Sequence, residues 1–262
     1  MFQAERFAYL RLIKTEDGFP IQSDVPQDMQ QGKFSVENEE EYIRYIRQKA
    51  IWFEPQFRKL LQSIVQDLNE CAFECDADGA YATQSEHIAA LGIDPSIYKL
   101  RFYPSLFRLR GKGADICALQ IAPVKDFDRC LFKAAAFQEE TSWCSADSAP
   151  AARHICDYLR ATIYAEDPFV LSLAFAMLKI RCDGLPRVSN YYVGHEDKPS
   201  ARQVFVNTNC RLFDPDTETE HFAEVQFILQ DFFTIRSIQH DYYEITRANS
   251  VPELLARPIG EH

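Results

Sequence analysis

The spacing of apolar residues predicts one long helix early in the chain. From residue 39 to residue 68, apolar positions recur at alternating three- and four-residue steps, the pattern of an amphipathic helix. The positions are Ile43, Ile46, Ala50, Phe53, Phe57, Leu60, Ile64 and Leu68. Pro55 falls inside this pattern and predicts a kink or a break there, because proline removes a helical hydrogen bond.

Beyond about residue 155 the pattern changes to short strands separated by helical segments. The segments are a strand at 159–165, a helix at 167–180, strands at 187–193, 202–213 and 221–229, and a helix at 231–248. A β-α-β-β-β-α order with short connections predicts an α+β fold, with a mixed β-sheet flanked by helices.

Four regions follow from these patterns. We predict an irregular N-terminal arm at 1–38 with a short strand at 7–13, a helical region at 39–115, a main sheet domain at 116–250 and a tail at 251–262. Residues 75–84 resemble a calcium loop only superficially, since the glutamate that should close such a loop is missing.

Composition limits the function. The 262 residues carry 39 acidic and 28 basic side chains, a net charge of −11, which disfavours a general nucleic-acid coat. An anionic ligand would therefore need a local basic patch. No apolar run reaches the roughly 18 residues of a membrane span, and the first residues lack the layout of a secretory signal. The expected location is the cytosol, although an effector exported without a cleaved signal would have the same sequence features.

The eight cysteines give no sign of a metal site. None forms the paired C-x-x-C spacing of zinc sites, and a chain of this length does not need disulfides. We predict that all eight are reduced.

One basic patch lies on a predicted helix near residue 125. Lys125, Arg129 and Lys133 are spaced to share one helical face, where like charges repel. Asp126 and Asp128 could neutralise them, which would make this an ordinary salt-bridged surface. The alternative is a face that binds polyphosphate, with the ligand supplying the negative charge.

Two acidic residues stand on predicted strands. Asp157 precedes a strand that also carries Arg160. An aspartate just before a strand is more often a turn or capping residue than a metal ligand. Glu224 and Gln226 share the polar face of a largely apolar strand. A carboxylate there must be paired, hydrogen-bonded, bound to metal or exposed on an edge strand.

The closing helix shows two stripes. Its predicted core stripe consists of Ile235, Ile238, Tyr242 and Ile245. The second stripe consists of Arg236, His240, Tyr243 and Arg247. Such a set could hold a phosphate, or could simply pair with neighbouring acids such as Glu244.

The motifs K-x3-R-x3-K, D-x-x-R-x-T-I, E-V-Q and H-x-x-Y-E-x-x-R follow one another in that order. Over about residues 123–247 this order resembles the RelA/SpoT-like nucleotidyltransferase superfamily, as a divergent, single-domain alarmone-synthetase-like member. The resemblance implies a synthetase-like domain at 116–250 that moves the β,γ-pyrophosphate of ATP onto a nucleotide 3′-hydroxyl with Mg²⁺.

The resemblance also implies residue roles. Lys125 and Lys133 would bind ATP phosphates, with Arg129 where synthetases often have serine. Asp157 would bind Mg²⁺, and Glu224 would bind metal or activate the acceptor hydroxyl. The further nucleotide-binding residues would be Arg160, Arg202, Gln226, His240, Tyr243 and Arg247.

Two departures from the family pattern leave the acceptor open. Synthetases usually read D-x-x-G-x-R, whereas the arginine here lies at Arg160 instead of at Thr162, on the same strand face. Ala201 replaces the tyrosine that stacks on the acceptor guanine, and Tyr191 or Tyr192 would have to supply a stacking face.

The predicted function is transfer of pyrophosphate or a nucleotidyl group from ATP to a nucleotide or a tRNA 3′ end, in a toxin-like or effector-like setting. One alternative is a catalytically silent nucleotide- or RNA-binding regulator, and another is an interaction protein that uses the 43–68 helix. We expect a monomer whose partners are nucleotides and, for some acceptors, tRNA. We further expect Asp157 and Glu224 to converge on one Mg²⁺, with mutual repulsion raising one pKa, so that replacing either acid by its amide leaves folding intact or improved.

Overall fold

The fold is seen in a computed structural model that describes most of the chain. The described residues are 10–18, 20–22, 36–70, 89, 92–94, 115–139, 150–193 and 204–247, with the side chains of 12, 36–38, 138–139 and 239–247 not included. Several predicted features therefore lie outside the described residues. They are the 75–84 loop, the basic stretch near residue 105, Ala201, Arg202 and the 251–262 tail.

Four α-helices are described: α1 (Val36–Glu70), α2 (Phe127–Glu139), α3 (Pro168–Arg181) and α4 (Gln230–Arg247). The long predicted helix is confirmed as α1, but the predicted break at Pro55 is wrong because α1 continues through it. An interior proline costs about 3 kcal/mol. Phe53 and Phe57 on either side are almost fully buried, and each such side chain contributes about 1.5–3 kcal/mol, which offsets that cost.

Six strands form one sheet. They are β1 (Glu16–Asp17), β2 (Cys117–Ile121), β3 (Arg160–Ala165), β4 (Arg187–Asn190), β5 (Val206–Asp214) and β6 (Thr219–Leu229). Their order across the sheet is β1-β4-β5-β6-β3-β2. Only the pairing of β3 with β6 is parallel among the described strands, so the sheet is mixed, as the α+β prediction required. The predicted β-α-β-β-β-α order is confirmed, whereas β2 was not foreseen.

The N-terminal arm contains a turn where a strand was predicted. Leu10–Leu12 forms a short 3-10 helix, so the described part of the predicted 7–13 strand is not extended. Asn190 explains the difference, because its Nδ2 donates to the carbonyls of Leu10 and Ile13, at 2.7 and 2.9 Å. Those two carbonyls point into the fold instead of along a strand ladder.

The two faces of the sheet differ in character. One face is apolar, with Ala161 and Ile163 of β3 beside Val225 and Phe227 of β6, and α1 and α3 pack against it. The apolar stripe of α1 is therefore used within the chain's own core, as predicted. The opposite face carries polar side chains from the alternate positions of the same strands, because successive residues of a strand point to opposite sides.

The last helix, α4, lies against the polar face through residues other than those predicted. Ile235 and Ile238 of the predicted core stripe are 52% and 53% exposed, so this stripe is wrong at both positions. Phe233 instead stacks on Tyr164 of β3 with ring centroids 4.2 Å apart. The helix therefore faces the sheet with Phe233 and, one turn on, Arg236.

Two further predictions can be checked against the described residues. The five cysteines described, Cys117, Cys130, Cys156, Cys182 and Cys210, are all free thiols, as predicted for them. Among the helices that the structure describes, none is both long enough and apolar enough to cross a bilayer.

The buried histidine of β6 makes stability dependent on pH. His221 is fully buried between Phe53, with centroids 5.9 Å apart, and Tyr158, at 6.3 Å. Burial, with a smaller contribution from Lys49, lowers the pKa of His221 to about 3. The pKa of a histidine in the unfolded state is near 6.5. Below that pH the unfolded state therefore binds a proton that the native state does not bind. Stability must then fall as pH falls through 6.5.

We predict that His221 alone lowers the free energy of unfolding by about 1.4 kcal/mol between pH 7.5 and pH 5.5. Replacing it with phenylalanine (His221→Phe) keeps the ring packing and should remove this difference. Urea unfolding of both proteins at the two pH values measures it. An undiminished pH effect in His221→Phe would contradict the assignment.

Candidate functional site

Asp157 is the centre of a charged cluster just before β3. Its Oδ2 accepts a hydrogen bond from Lys125 Nζ at 2.5 Å, and its Oδ1 accepts one from Lys133 Nζ at 2.8 Å. The side chains of Asp157 and Lys125 are only 12% and 9% exposed. Burial alone would raise the pKa of Asp157, but the ammonium groups of Lys133 and Lys125 outweigh it and hold that pKa below its usual range. Asp157 is therefore ionised.

The backbone holds Lys125 in place ahead of α2. Its N–H donates to the Tyr158 carbonyl at 3.0 Å, and its own carbonyl accepts from Arg47 Nε of α1 at 2.9 Å. Lys125 therefore precedes the helix, which begins at Phe127, so the prediction of three cations along one helical face needs correction. Arg129 lies on α2 with an exposed side chain and does not contact Asp157.

Glu224 lies on the polar face of β6 and is held by neutral amides. Its Oε2 accepts from Asn207 Nδ2 at 3.1 Å, and its Oε1 accepts from Gln226 Nε2 at 2.7 Å. Gln226 in turn accepts from Arg236 Nη1 of α4 at 2.5 Å. A carboxylate in an apolar strand needs such partners, and here they leave the negative charge without a cation in direct contact among the described residues.

The parallel pairing of β3 with β6 joins the two groups. Arg160 stands directly opposite Glu224 in the ladder, three residues after Asp157. The pKa of Lys125 is lowered first by its burial, and then by the positive charges of Lys133 and Arg160, against the opposing effect of Asp157. Lys125 therefore senses two further positive charges besides the carboxylate of Asp157.

Both acids act electrostatically on Cys156. Its pKa is raised to about 12, first by burial, then by the charge of Asp157 and, more weakly, by that of Glu224. Arg236 of α4 also interacts electrostatically with the residues of the site. Burial lowers its pKa, Glu224 opposes this, and Arg160 adds to it.

Two buried polar atoms beside Glu224 lack a hydrogen-bond partner within the described part of the chain. They are the Nε of Arg160 and the Oδ1 of Asn207. One is a donor and the other an acceptor, and both lie on the polar face next to the carboxylate. A ligand that carries hydroxyl or phosphate oxygens could satisfy them.

The predicted site residues fall into three groups. Lys125, Lys133 and Asp157 are in direct contact, and Arg160, Glu224 and Gln226 form the adjoining strand group. Arg202 lies outside the described residues. His240, Tyr243 and Arg247 belong to α4, but their side chains are not described, so their roles stay predictions.

The two tyrosines suggested for base stacking make other contacts in the structure. Tyr192 is half-buried, and its hydroxyl accepts from the backbone N–H of Leu229 at 3.3 Å. The Tyr191 ring packs on Phe205 with centroids 5.1 Å apart. Tyr192 therefore serves strand packing.

Sequence patterns missed Asn207 and the partner of Arg236. Asn207 contacts Glu224 from a neighbouring strand, and its role depends on strand register, which the sequence does not reveal. Arg236 was placed on the correct helix but without a partner. A polar residue at alternate positions of an apolar strand, as Asn207 is in β5, was the available signal.

The two acids supply carboxylate oxygens of the kind that Mg²⁺ binds, but both oxygens of Asp157 are bonded to lysines, which would have to move for the ion to bind there. Oxygen ligands suit this ion, which commonly takes one or two carboxylates and completes its shell with water and substrate phosphates. Among the described residues there is no group of three or more His, Cys, Asp or Glu that could hold a metal ion. Convergence of Asp157 and Glu224 on one ion stays a prediction. The expected rise of a pKa by mutual repulsion is not seen at Asp157, whose pKa is lowered by its lysines.

Comparison with known proteins finds alarmone synthetases among the solved structures. The small alarmone synthetase 1 from Bacillus subtilis bound to its product pppGpp is 14% identical with a TM-score of 0.40, and the match covers 76% of this chain and 84% of that chain. A second structure of the same enzyme is 13% identical with a TM-score of 0.33, covering 77% and 83%. No known family profile and no curated protein sequence matches the chain. These are proteins of the kind that the sequence motifs resemble, but the likeness is too coarse to assign any residue.

Because Asp157 forms ion pairs with two lysines, we no longer expect Asp157→Asn to leave folding intact. The substitution leaves the buried Lys125 without its anionic partner, so we predict a loss of about 3 kcal/mol in the free energy of unfolding. Denaturant unfolding at pH 7 measures the loss.

Glu224→Gln is the matched control. Its partners are neutral amides, and the unpartnered Oδ1 of Asn207 can turn to accept from the new amide, so the change should stay within about 1 kcal/mol. Equal losses in the two variants would show that the lysines do not depend on Asp157.

Proposed function

We propose that the protein is a Mg²⁺-dependent enzyme that transfers pyrophosphate, or a nucleotidyl group, from ATP to a hydroxyl of a nucleotide or of a tRNA 3′ end. The observation that carries the proposal is the pair of ion pairs that Lys125 and Lys133 make with Asp157, close in sequence to Arg160, which strand pairing places opposite Glu224. A toxin-like or effector-like role is the biological setting that we attach to this activity.

The cluster has the charge to bind phosphates. Lys125 and Lys133 share one aspartate, which leaves an excess of one positive charge, and Arg160 adds a further positive charge that acts on Lys125, in a chain whose net charge is −11. Lys133 is 38% exposed, so an anion can reach it from solvent. Charge-assisted bonds to phosphate are stronger than neutral ones, and the lysines can exchange part of their contact with Asp157 for contact with the ligand.

Glu224 suits the task of orienting the acceptor hydroxyl. An ionised carboxylate has about four acceptor positions, of which the amides of Asn207 and Gln226 occupy two. The remaining positions can accept the hydroxyl proton of a nucleophile, while Arg160 stands opposite on β3. Because its partners are neutral, Glu224 keeps its negative charge available.

Asp157 and Glu224 are the residues that would hold Mg²⁺. When bound, the ion neutralises charge on the transferred phosphoryl group. The residues of this chain then divide the remaining work. Lys125 and Lys133 bind and orient the donor phosphates, Asp157 keeps both ammonium groups in position, and Glu224 takes the proton of the attacking hydroxyl.

A second candidate is a catalytically silent nucleotide-binding regulator. The observation in its favour is that both carboxylate oxygens of Asp157 are engaged by lysines, which leaves this acid a structural role in the ligand-free protein. The third alternative is an interaction protein that binds a partner through the 43–68 helix. The apolar stripe of that helix is not available to a partner, because it is buried in the chain's own core.

We predict that Lys133→Ala weakens ATP binding by roughly tenfold or more, since one charge-assisted contact contributes on the order of 1.5–3 kcal/mol. Titration calorimetry with ATP and Mg²⁺ measures the affinity. The matched control is Lys179→Ala on α3, an exposed lysine paired with Glu16, which should bind ATP as the unaltered protein does. Equal affinities in all three proteins would return Lys133 to a structural role.

We predict that Glu224→Gln abolishes transfer while ATP affinity measured without Mg²⁺ stays within about twofold, because the residue would contact the metal and the acceptor hydroxyl but not the donor phosphates. Incubation with γ-labelled or α-labelled ATP, Mg²⁺, a panel of nucleotides and total tRNA identifies both the group moved and the acceptor. ATP binding without transfer to any acceptor by the unaltered protein would favour the silent regulator. No ATP binding would exclude both candidates.

A further inference from the structure

A side chain from the N-terminal arm is inserted where the central strand pairing ends. Gln22 is 1% exposed, and its backbone N–H donates to the Arg153 carbonyl at 2.9 Å. The β3–β6 ladder begins at Arg160 and Glu224, so the chain segments before these two residues have no ladder bonds to each other. Gln22 lies between those segments.

The carboxamide of Gln22 bonds to both segments at once. Its Nε2 donates to the Ile155 carbonyl at 3.2 Å and to the Phe222 carbonyl at 2.9 Å, and its Oε1 accepts from the Phe222 N–H at 3.1 Å. One side chain thus supplies the bonds that a further pair of strand residues would have made.

The contacted residues stand in register with the two acids. Ile155 is two residues before Asp157, and Phe222 is two residues before Glu224. The arm adds a second contact on the Asp157 side, because the Cys156 thiol lies 3.2 Å from the Pro20 carbonyl. A backbone bond also joins the segments where the ladder begins, since the Glu224 N–H donates to the Leu159 carbonyl at 2.9 Å.

We propose that Gln22 is a positioning residue that fixes the separation of the segments carrying Asp157 and Glu224. It touches no substrate and acts through the backbone of the two strands. The inference rests on the proposed function for its effect on catalysis, but its structural part stands without that function.

The test is Gln22→Met, which keeps the length of the side chain and removes all three side-chain bonds. The matched control is Asn190→Leu. Asn190 is 3% exposed and also makes three bonds, but on the side away from the acids: it donates to the arm carbonyls of Leu10 and Ile13 and accepts from the nearby Tyr192 N–H. Both variants lose a buried amide of equal bonding, so they should lose similar stability.

We expect kcat for transfer to fall on the order of 100-fold in Gln22→Met, because small displacements of reacting groups have effects of that size. The KM for ATP should change less than kcat, since Lys133 lies on α2, to which Gln22 makes no bond. Asn190→Leu, compared at a temperature where both variants are folded, should keep kcat within about twofold. Equal losses of kcat in the two variants would reduce Gln22 to a structural residue and overturn the proposal.

Amide hydrogen exchange supplies a readout that needs no activity. The Glu224 N–H should exchange at least tenfold faster in Gln22→Met and at an unchanged rate in Asn190→Leu, as the segments separate. If the unaltered protein transfers no label, the proposed function is wrong and this exchange decides the structural claim. An unchanged Glu224 exchange rate in Gln22→Met would overturn it.

Discussion

The parallel pairing of β3 with β6 is the constraint on which the site depends. It sets Arg160 opposite Glu224, and it makes the chain enter both strands from the same end of the sheet. Asp157 and Glu224 are 67 residues apart in sequence, yet the start of this ladder puts them in one region, where both raise the pKa of Cys156. The antiparallel strand β5 then adds Asn207 from the other side of β6.

A charge imbalance follows from this arrangement. Asp157 is largely buried with two lysines on its two oxygens, and a third cation, Arg160, acts on the same cluster. Burying unequal charges is unfavourable unless another group restores the balance, and an anionic ligand is the simplest such group. The carboxylate of Glu224 lies close by, but its direct bonds go to amides. The site thus separates a cationic part suited to phosphates from an anionic part suited to a hydroxyl.

The same strands serve stability on their other face. Val225 and Phe227 are buried under α1 and α3 while Glu224 and Gln226 stay on the polar side, so one strand contributes to both the core and the site. The core side of the same strand also carries His221, a fully buried histidine without a hydrogen-bond partner in the described part of the chain. The N-terminal arm joins the two roles, because Gln22 bonds to the backbone on the approach to each acid.

Periodicity alone determined the elements. The stripe from Ile43 to Leu68 and the order of strands after residue 155 depend on local spacing, which survives in any tertiary arrangement. The sequence also gave enough to select Lys125, Lys133, Asp157 and Glu224 as charged residues in unusual positions. It misjudged α4, because a helix lying on a polar sheet face turns Phe233 and Arg236 inward and leaves its isoleucines outside.

Only the tertiary structure determined which side chains contact one another. The sequence offered Asp126 and Asp128 as neighbours for the basic patch, whereas the fold brings Asp157 to Lys125 and Lys133 across 32 and 24 residues. Strand register assigned Asn207 to Glu224, and the path of the arm brought Gln22 to both acid-bearing segments. The physical reason is that hydrogen bonds and ion pairs act over about 3 Å in space, and a side chain's distance along the chain carries no information about which of these contacts it will make.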